Sequence, residues 1–353
     1  VDPESGLDSD AHVYKDKDGT LYSAVLGQVD IQRDKNSFYK LQVLQSDKGG
    51  KYWVFRSWGR IGTTIGGNKV EEMDSVFDAK QHFERLYAEK SGNEWSDRHN
   101  FVKLPDKVYP LELDYGADVT DSIEKMSVEA SKSSLPKSVK ELICLLFDID
   151  NMKKQMAEFE LDLTKMPLGK LSRKQIEQAY SVLKEVEELL KNKEGDAESS
   201  NKGNAKFIDA SNRFFTLIPH DFGLNQPPLL DNHEIVKSKM EMLDSLMEIE
   251  VAYTLLKSGE EDKTKDPLDR HYEQLNSKIE VLEKDTEEFK IIEKYVRNTH
   301  AETHSQYSLE IEDVFKVQRN GEDKRYKPFS KLGNKKLLWH GSRLTNMAGI
   351  MSQ

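Results

Sequence analysis

The hydrophobic period changes partway along this 353-residue chain, and that change limits its fold more than any other feature. Up to about residue 115, apolar and polar residues alternate as in half-buried strands. "TLYSAVLGQVDI" and "SFYKLQVLQ" both do so, with Asn, Asp and Gly between them. "KYWVFRSWGRIGTTIGG" continues the pattern, broken by glycines suited to tight turns. "SVFDAKQHFERLYAEKSG" then carries Val76, Ala79, Phe83, Leu86 and Tyr87 at helical spacing, with Gly92 placed to end the helix. After a short leading linker (1–10), residues 11–116 therefore predict a small sheet with one helix against it.

A polar, weakly patterned linker (117–134) follows, and from Leu135 to about Lys257 the period is 3.6. Pro136 suits the first position of a helix carrying Val139, Leu142, Ile143, Leu146 and Phe147. Ser172 and Gln175 form a capping box for a helix striped with Ile176, Tyr180, Leu183, Val186 and Leu190. "KNKEGDAESSNKGN" is a low-complexity loop, and helices near 206–217 and 232–257 flank "PHDFGLNQPPLL". Residues 135–258 thus predict an all-α bundle. Beyond it, Asp266-Pro267 opens a helical stretch to about Arg297, "YSLEIEDVFKVQR" alternates, "RYKPFSKL" connects, and "KKLLWHG" reads as an apolar strand. The fold class is multidomain α+β: a sheet-plus-helix domain, a helical bundle, and the start of a mixed α/β domain over 266–353.

Composition removes several functions. No apolar run approaches the roughly 18 residues of a membrane span, so no membrane partner is expected. The single Cys144 rules out a disulfide or a Cys-based zinc site within this sequence, and its place in "ELICLLF" makes it a thiol packed in a helix. That suits a reducing compartment, cytosol or nucleus. The net charge of −11 argues against nucleic acid, yet from Gln28 to Val70 eight Lys/Arg stand against three acids, among Phe38, Tyr39, Tyr52, Trp53, Phe55 and Trp58. A phosphate-binding module has this look, and so does a β-domain with ordinary core aromatics and a solvated basic face.

Single motifs decide little. "MPLGKLS" lacks both the upstream Gly and the Ser/Thr of a phosphate loop and reads as a capping turn; "HDFG" stands without other kinase signatures and reads as a loop. His300 and His304 are spaced as a metal pair without a third ligand, so no metal site is expected. In "RSWGRIG", Trp58 between Arg56 and Arg60 suits stacking on a base or sugar with arginines on phosphates, or a tight turn with a core Trp. Leu243, Leu246, Met247 and Leu255 point one helix to a core, while Glu241, Asp244 and Glu248 make an acidic stripe on it, by itself a solvated face. In "LLWHGSR", an imidazole, a Gly and a Ser can offer hydrogen bonds to ligand hydroxyls, or the His is simply buried.

Taken in order, "YWVFRSWGRIGTTIG", "MPLGKLSRKQIEQAYSVL", "RFFTLIPHDFG", "MEMLDSLMEIEVAY", "KYVRNTHAETH" and "KPFSKLGNKKLLWHGSR" make the whole chain resemble the DNA-dependent poly(ADP-ribose) polymerases, and among them the founding member. The resemblance implies a Trp-Gly-Arg domain that senses DNA strand breaks, a helical autoinhibitory domain, and the N-terminal part of an ADP-ribosyltransferase domain. It implies a nuclear, allosterically controlled glycosyltransferase of DNA repair that uses NAD as substrate and modifies acceptor proteins, itself included. On this likeness Trp58, Gly59 and Arg60 engage DNA and relay its presence. His340, Gly341 and Ser342 form the NAD-binding edge, and Glu241, Asp244 and Glu248, backed by Leu243 and Leu246, obstruct it. The family's catalytic Glu is expected beyond Gln353, so the 353 residues alone are expected to be inactive. Zinc would belong only to a region N-terminal to this sequence. The alternative is a non-catalytic DNA-end-binding product that modulates the full enzyme.

Overall fold

A computed structural model of the chain describes residues 1–111, 126–161, 172–193, 200–259, 264–300 and 309–352. These divide into two compact units, one drawing on residues 1–116 and 153–246, the other on 117–152 and 247–353.

The first unit is built on an antiparallel sheet. Its strands are β1 (Ala11–Val13), β2 (Ser23–Asp30), β3 (Lys35–Ser46), β4 (Tyr52–Arg60) and β5 (Gly66–Met73), then β6 (Tyr109–Leu111) after helix α1 (Val76–Ser91). The order is β5-β4-β3-β2-β6, with β1 also on β3. Strand alternation sets the two faces: Leu41, Val43 and Val54 join Phe83, Leu86 and Tyr87 of α1 in one core, and Leu44 and Phe55 pack with Ala11 on the other face. Ser75 caps α1 by accepting from Asp78 N, and Gly92 ends it in the left-handed conformation, as the sequence predicts.

The helices are α2 (Lys137–Leu146), α3 (Ile149–Glu158), α4 (Arg173–Lys193), α5 (Ser200–Leu217) and α6 (His233–Gly259). Pro136 precedes α2 as its cap instead of occupying the first turn, and Cys144 lies half-buried in α2. Ser172 Oγ accepts from Gln175 N (3.2 Å), but the Gln175 amide does not reach back to complete a capping box. It donates instead to the carbonyl of Leu217, because burial leaves that oxygen no water. Ile176, Leu183, Val186 and Leu190 are buried as a stripe, while Tyr180 is only half-buried. The low-complexity loop is shorter than predicted, since α4 runs to Lys193 and α5 starts at Ser200. On α6, Leu243 and Leu246 are buried, whereas Met247 and Leu255 are half-buried and Met242, Ile249 and Leu256 occupy the inner positions. Most of the capping turn "MPLGKLS" and His304 lie outside the described residues.

Helix α5 closes the sheet's open edge. β6 pairs with β2 only at Val25–Gly27, so the N–H groups further along face no strand. Thr216 Oγ1 accepts from Val29 N (3.1 Å) and Asn212 Oδ1 from Ile31 N (2.9 Å), so two side chains of α5 take the place of a strand.

The second unit continues with α7 (Pro267–Gln274), β7 (Ser277–Val281), α8 (Glu287–Thr299), β8 (Phe315–Arg319), α9 (Glu322–Tyr326) and α10 (Leu344–Ser352). The single helical stretch expected from Asp266 to Arg297 is therefore interrupted: Asn276 turns the chain with φ 49°, and β7 pairs antiparallel with β8, Ile279 opposite Val317. "RYKPFSKL" likewise contains the end of α9 and a 3₁₀ turn, Lys327–Phe329, where a plain connection was expected. The segment before α2 is tied down, because Ser131 Oγ and Lys132 N donate to the Asp266 carboxylate (3.0 and 2.7 Å), the same group that caps α7.

Fully buried His220 gives this fold a pH dependence. Its Nδ1 lies 2.6 Å from Ile218 O and its Nε2 3.0 Å from the Lys239 ammonium, an arrangement met by neutral imidazole donating at Nδ1 and accepting at Nε2. Burial, reinforced by the Lys239 charge, pushes its pKa down to about 3. A group with a depressed folded pKa contributes full stability above its unfolded value of 6.5 and loses it as pH falls toward 3. Chemical denaturation at pH 7 and pH 5 is expected to show about 2 kcal/mol more loss in the native chain than in His220→Gln, at about 1.4 kcal/mol per pH unit. Equal losses in the two would refute the assignment.

Candidate functional site

The Trp-Gly-Arg triplet ends β4, where β3 and β5 flank it: Tyr39 faces Trp58, and Gly66 faces Gly59. Gly59 has no alternative, because a Cβ there would strike the Ile65 carbonyl and the Phe38 ring. Trp58 presents an indole 39% exposed, with Gly67 beneath it and the Arg56 guanidinium 5.9 Å from its centroid.

Arg60 does something else. Its Nε donates to Gly223 O (2.9 Å), one terminal nitrogen to Asp34 O (2.7 Å), and the other to both Asp34 Oδ1 (3.0 Å) and Asn225 O (3.1 Å). The side chain is only 14% exposed, so its fork is spent on protein carbonyls and one carboxylate. Next to it Gly62 has φ 73°, and the place of a Cβ is taken by the Asp221 carboxylate. Asn36 Nδ2 donates to His220 O (3.0 Å), and the His220 ring stacks on Phe222 at 5.3 Å with a 7° interplanar angle. The turn 220–225 is thus gripped from the sheet side at His220, Asp221, Gly223 and Asn225. The sequence reading leaves His220 in the "HDFG" loop and gives Asn36 and Lys239 no role; a His, an Asp and three aromatics packed within "RFFTLIPHDF" is the signal that marks the turn.

The local positive surplus is largely neutralised by folding. Of the eight Lys/Arg between Gln28 and Val70, Arg33, Lys40, Lys51, Arg56, Arg60 and Lys69 each pair with a carboxylate, several supplied by Asp2, Glu71, Glu72 and Asp106.

In the second unit, residues 335–343 form no strand. Leu337, Leu338 and Trp339 are 73%, 74% and 55% exposed, since no strand among the described residues offers them a ladder. Tyr295 donates to Leu337 O (2.9 Å) and stacks on Trp339 at 5.1 Å, whose Nε1 donates to Thr299 Oγ1 (2.8 Å). His340, Gly341 and Ser342 follow, all exposed, with no atom within 4 Å of a Cβ on Gly341. The acidic stripe of α6 meets three environments. Glu241 is exposed, Asp244 accepts from Tyr180 Oη, and the Glu248 carboxylate is seated over Gly349 of α10, where a Cβ would collide with it.

Comparison with known proteins assigns each stretch to a class. Residues 22–102 match the WGR domain, 133–272 the regulatory domain of poly(ADP-ribose) polymerase, and 286–353 its catalytic domain. The chain belongs to the poly(ADP-ribose) polymerase family, carrying the first two domains and part of the third. It is 54% identical to poly [ADP-ribose] polymerase 1 of Gallus gallus over 354 residues and 55% identical to poly [ADP-ribose] polymerase of Sarcophaga peregrina over 352. It is 42% identical to poly [ADP-ribose] polymerase 1 of Arabidopsis thaliana. Each alignment takes in 100% of this chain but only 34–35% of the relative, so the chain spans about a third of their length.

Arg60→Ala removes the hydrogen bonds to Gly223 O and Asn225 O and is expected to cost about 1.5–3 kcal/mol in denaturant unfolding. Arg56→Ala, which removes one ion pair on the sheet, is expected to cost no more than about 1 kcal/mol. Equal costs would show that the Arg60 fork holds nothing together.

Proposed function

We propose that the chain is the break-sensing and restraining part of a DNA-activated, nuclear enzyme that transfers ADP-ribose from NAD to proteins, itself included. The grip of Arg60 on the turn 220–225 carries the reading. It ties the WGR-type sheet to the turn after α5, inside the compact unit that also takes in residues 153–246 of the regulatory match, so a ligand that shifts Trp58 and β4 acts directly on that part of the helices. In this reading Trp58 stacks on an exposed base or sugar at a break, Gly59 admits the tight strand end, and Arg60 transmits. DNA binding then moves a population between a tight and a loosened helical state. Leu243 and Leu246 keep α6 packed, while Glu241, Asp244 and Glu248 set a steric and electrostatic obstacle to a dinucleotide with two phosphates. His340 and Ser342 would hold ribose hydroxyls and the Gly341 backbone the nicotinamide amide. Transfer proceeds by attack on the ribose C1′ as nicotinamide leaves, and it needs a carboxylate to orient the acceptor. His340, Gly341 and Ser342 lie exposed, and the 353 residues by themselves are proposed to bind breaks without turnover.

Fluorescence titration with nicked and intact duplex DNA tests the sensor. The chain is expected to prefer nicked duplex, and Trp58→Ala to weaken binding by about tenfold, one stacked base being worth about 1–3 kcal/mol. Binding indifferent to the nick or to Trp58 would reject the site. Labelled NAD added to the same samples is expected to give no incorporation, and turnover above background would reject the inactivity.

A further inference from the structure

We propose that a cavity between the end of the sheet and helices α4 and α5 binds a small aromatic monocarboxylate, and that the bound ligand braces the joint between sheet and helices. The cavity measures about 290 Å³ and is lined by Lys103, Tyr109, Gln178, Val182, Arg213 and Leu217, with Ser181 and Thr216 beside them. That volume lies at the lower end of small-molecule sites and suits a single substituted ring. None of these residues belongs to the DNA, NAD or restraining assignments above.

Its two cations are not equivalent. Arg213 is neutralised: its guanidinium bonds both oxygens of Glu185 (2.9 and 2.8 Å) and Asp209 Oδ2 (2.8 Å), and those carboxylates hold its pKa up against burial. Lys103 stands at the rim and makes no hydrogen bond or ion pair among the described residues. Crowding of its ammonium lowers its pKa, with Asp209 opposing and Arg213 adding to the effect. Among the described residues this positive charge has no hydrogen-bonded partner, and a ligand carboxylate supplies one through a charge-assisted hydrogen bond. A phosphate dianion suits the place less, because Glu185 and Asp209 stand beside Arg213 and repel a second negative charge.

The remaining walls select for a ring. Val182, Leu217 and the ring of Tyr109 give the lining apolar surface for a planar group. Ser181 Oγ donates its own proton to Glu177 O (3.1 Å), which leaves its oxygen as an acceptor for a ring hydroxyl. Thr216 connects the cavity to the joint, because the hydroxyl that borders the ligand also accepts from Val29 N on the open edge of β2. A ligand that favours the closed arrangement stabilises it in proportion to its occupancy.

The test uses the 353-residue chain and 4-hydroxybenzoate, read by methyl resonances of Val182 and Leu217 and by amide exchange at Val29. Expected are saturable shifts at both methyls with Kd on the order of 1 mM for so small a ligand, and slower exchange at Val29 under saturation. Lys103→Met is expected to raise Kd by about tenfold or more, a loss of about 1.4 kcal/mol, while Lys103→Arg stays near the native value. No saturable shifts, equal Kd in Lys103→Met, or inorganic phosphate binding as tightly as the aromatic acid would each overturn the proposal.

Discussion

The guanidinium of Arg60 is the point on which the first unit turns. It leaves a strand end, reaches the turn after α5, and satisfies two backbone carbonyls there while the left-handed Asp34 holds its other side. Only a planar fork of several donors meets such divergent acceptors; a lysine ammonium is a single point on a flexible stem and would satisfy fewer of them. The rest of the joint follows from this geometry. With the turn held, Gly62 must be a glycine because Asp221 fills the space of its Cβ, and α5 lies close enough for Thr216 and Asn212 to finish the edge of β2. A sheet domain and a helical segment that differ in period along the sequence thereby share one compact unit.

Electrostatics gives that unit its character. Along the sequence a basic run is embedded in an acidic chain, but folding returns carboxylates from distant positions to most of it, as Lys40 with Asp2 and Arg56 with Glu71 show. Long-range attraction to a polyanion is then weak, and a nucleic acid would be held by contact and stacking more than by bulk charge.

The parts legible in the sequence are those in which one period runs without competition. α1 reads cleanly because Val76 to Tyr87 keep the helical spacing and Ser75 and Gly92 punctuate it. β2, β3 and β4 read cleanly because their alternation sorts two real faces. β7 was hidden: Leu275, Ile279 and Leu282 also fall at helical spacing, and only the β8 partner, some 40 residues away, selects the strand. "KKLLWHG" fails in the opposite sense. Its apolar residues satisfy a strand pattern, but among the described residues no neighbour pairs with them, and a strand exists only by its ladder. His220 was illegible for a third reason. Whether a histidine in a turn is solvated or wholly buried depends on what the sheet places over it, here Asn36, which lies far from it in sequence.

The acidic stripe of α6 carries the same lesson into mechanism. Spacing of three and seven residues places Glu241, Asp244 and Glu248 on one face, and from spacing alone they count as three equal charges. Their partners make them unequal. Glu241 stays solvated, where screening reduces its reach; Asp244 holds the Tyr180 hydroxyl and braces helix against helix; Glu248 sits in a notch that exists because residue 349 has no side chain. The proposed restraint would act first through fit and only second through charge. Neutralising Glu248 as Gln would keep the seat filled, whereas a Cβ at residue 349 would unseat it with every charge intact, so shape and charge at this contact are separable by chemistry already present in the fold.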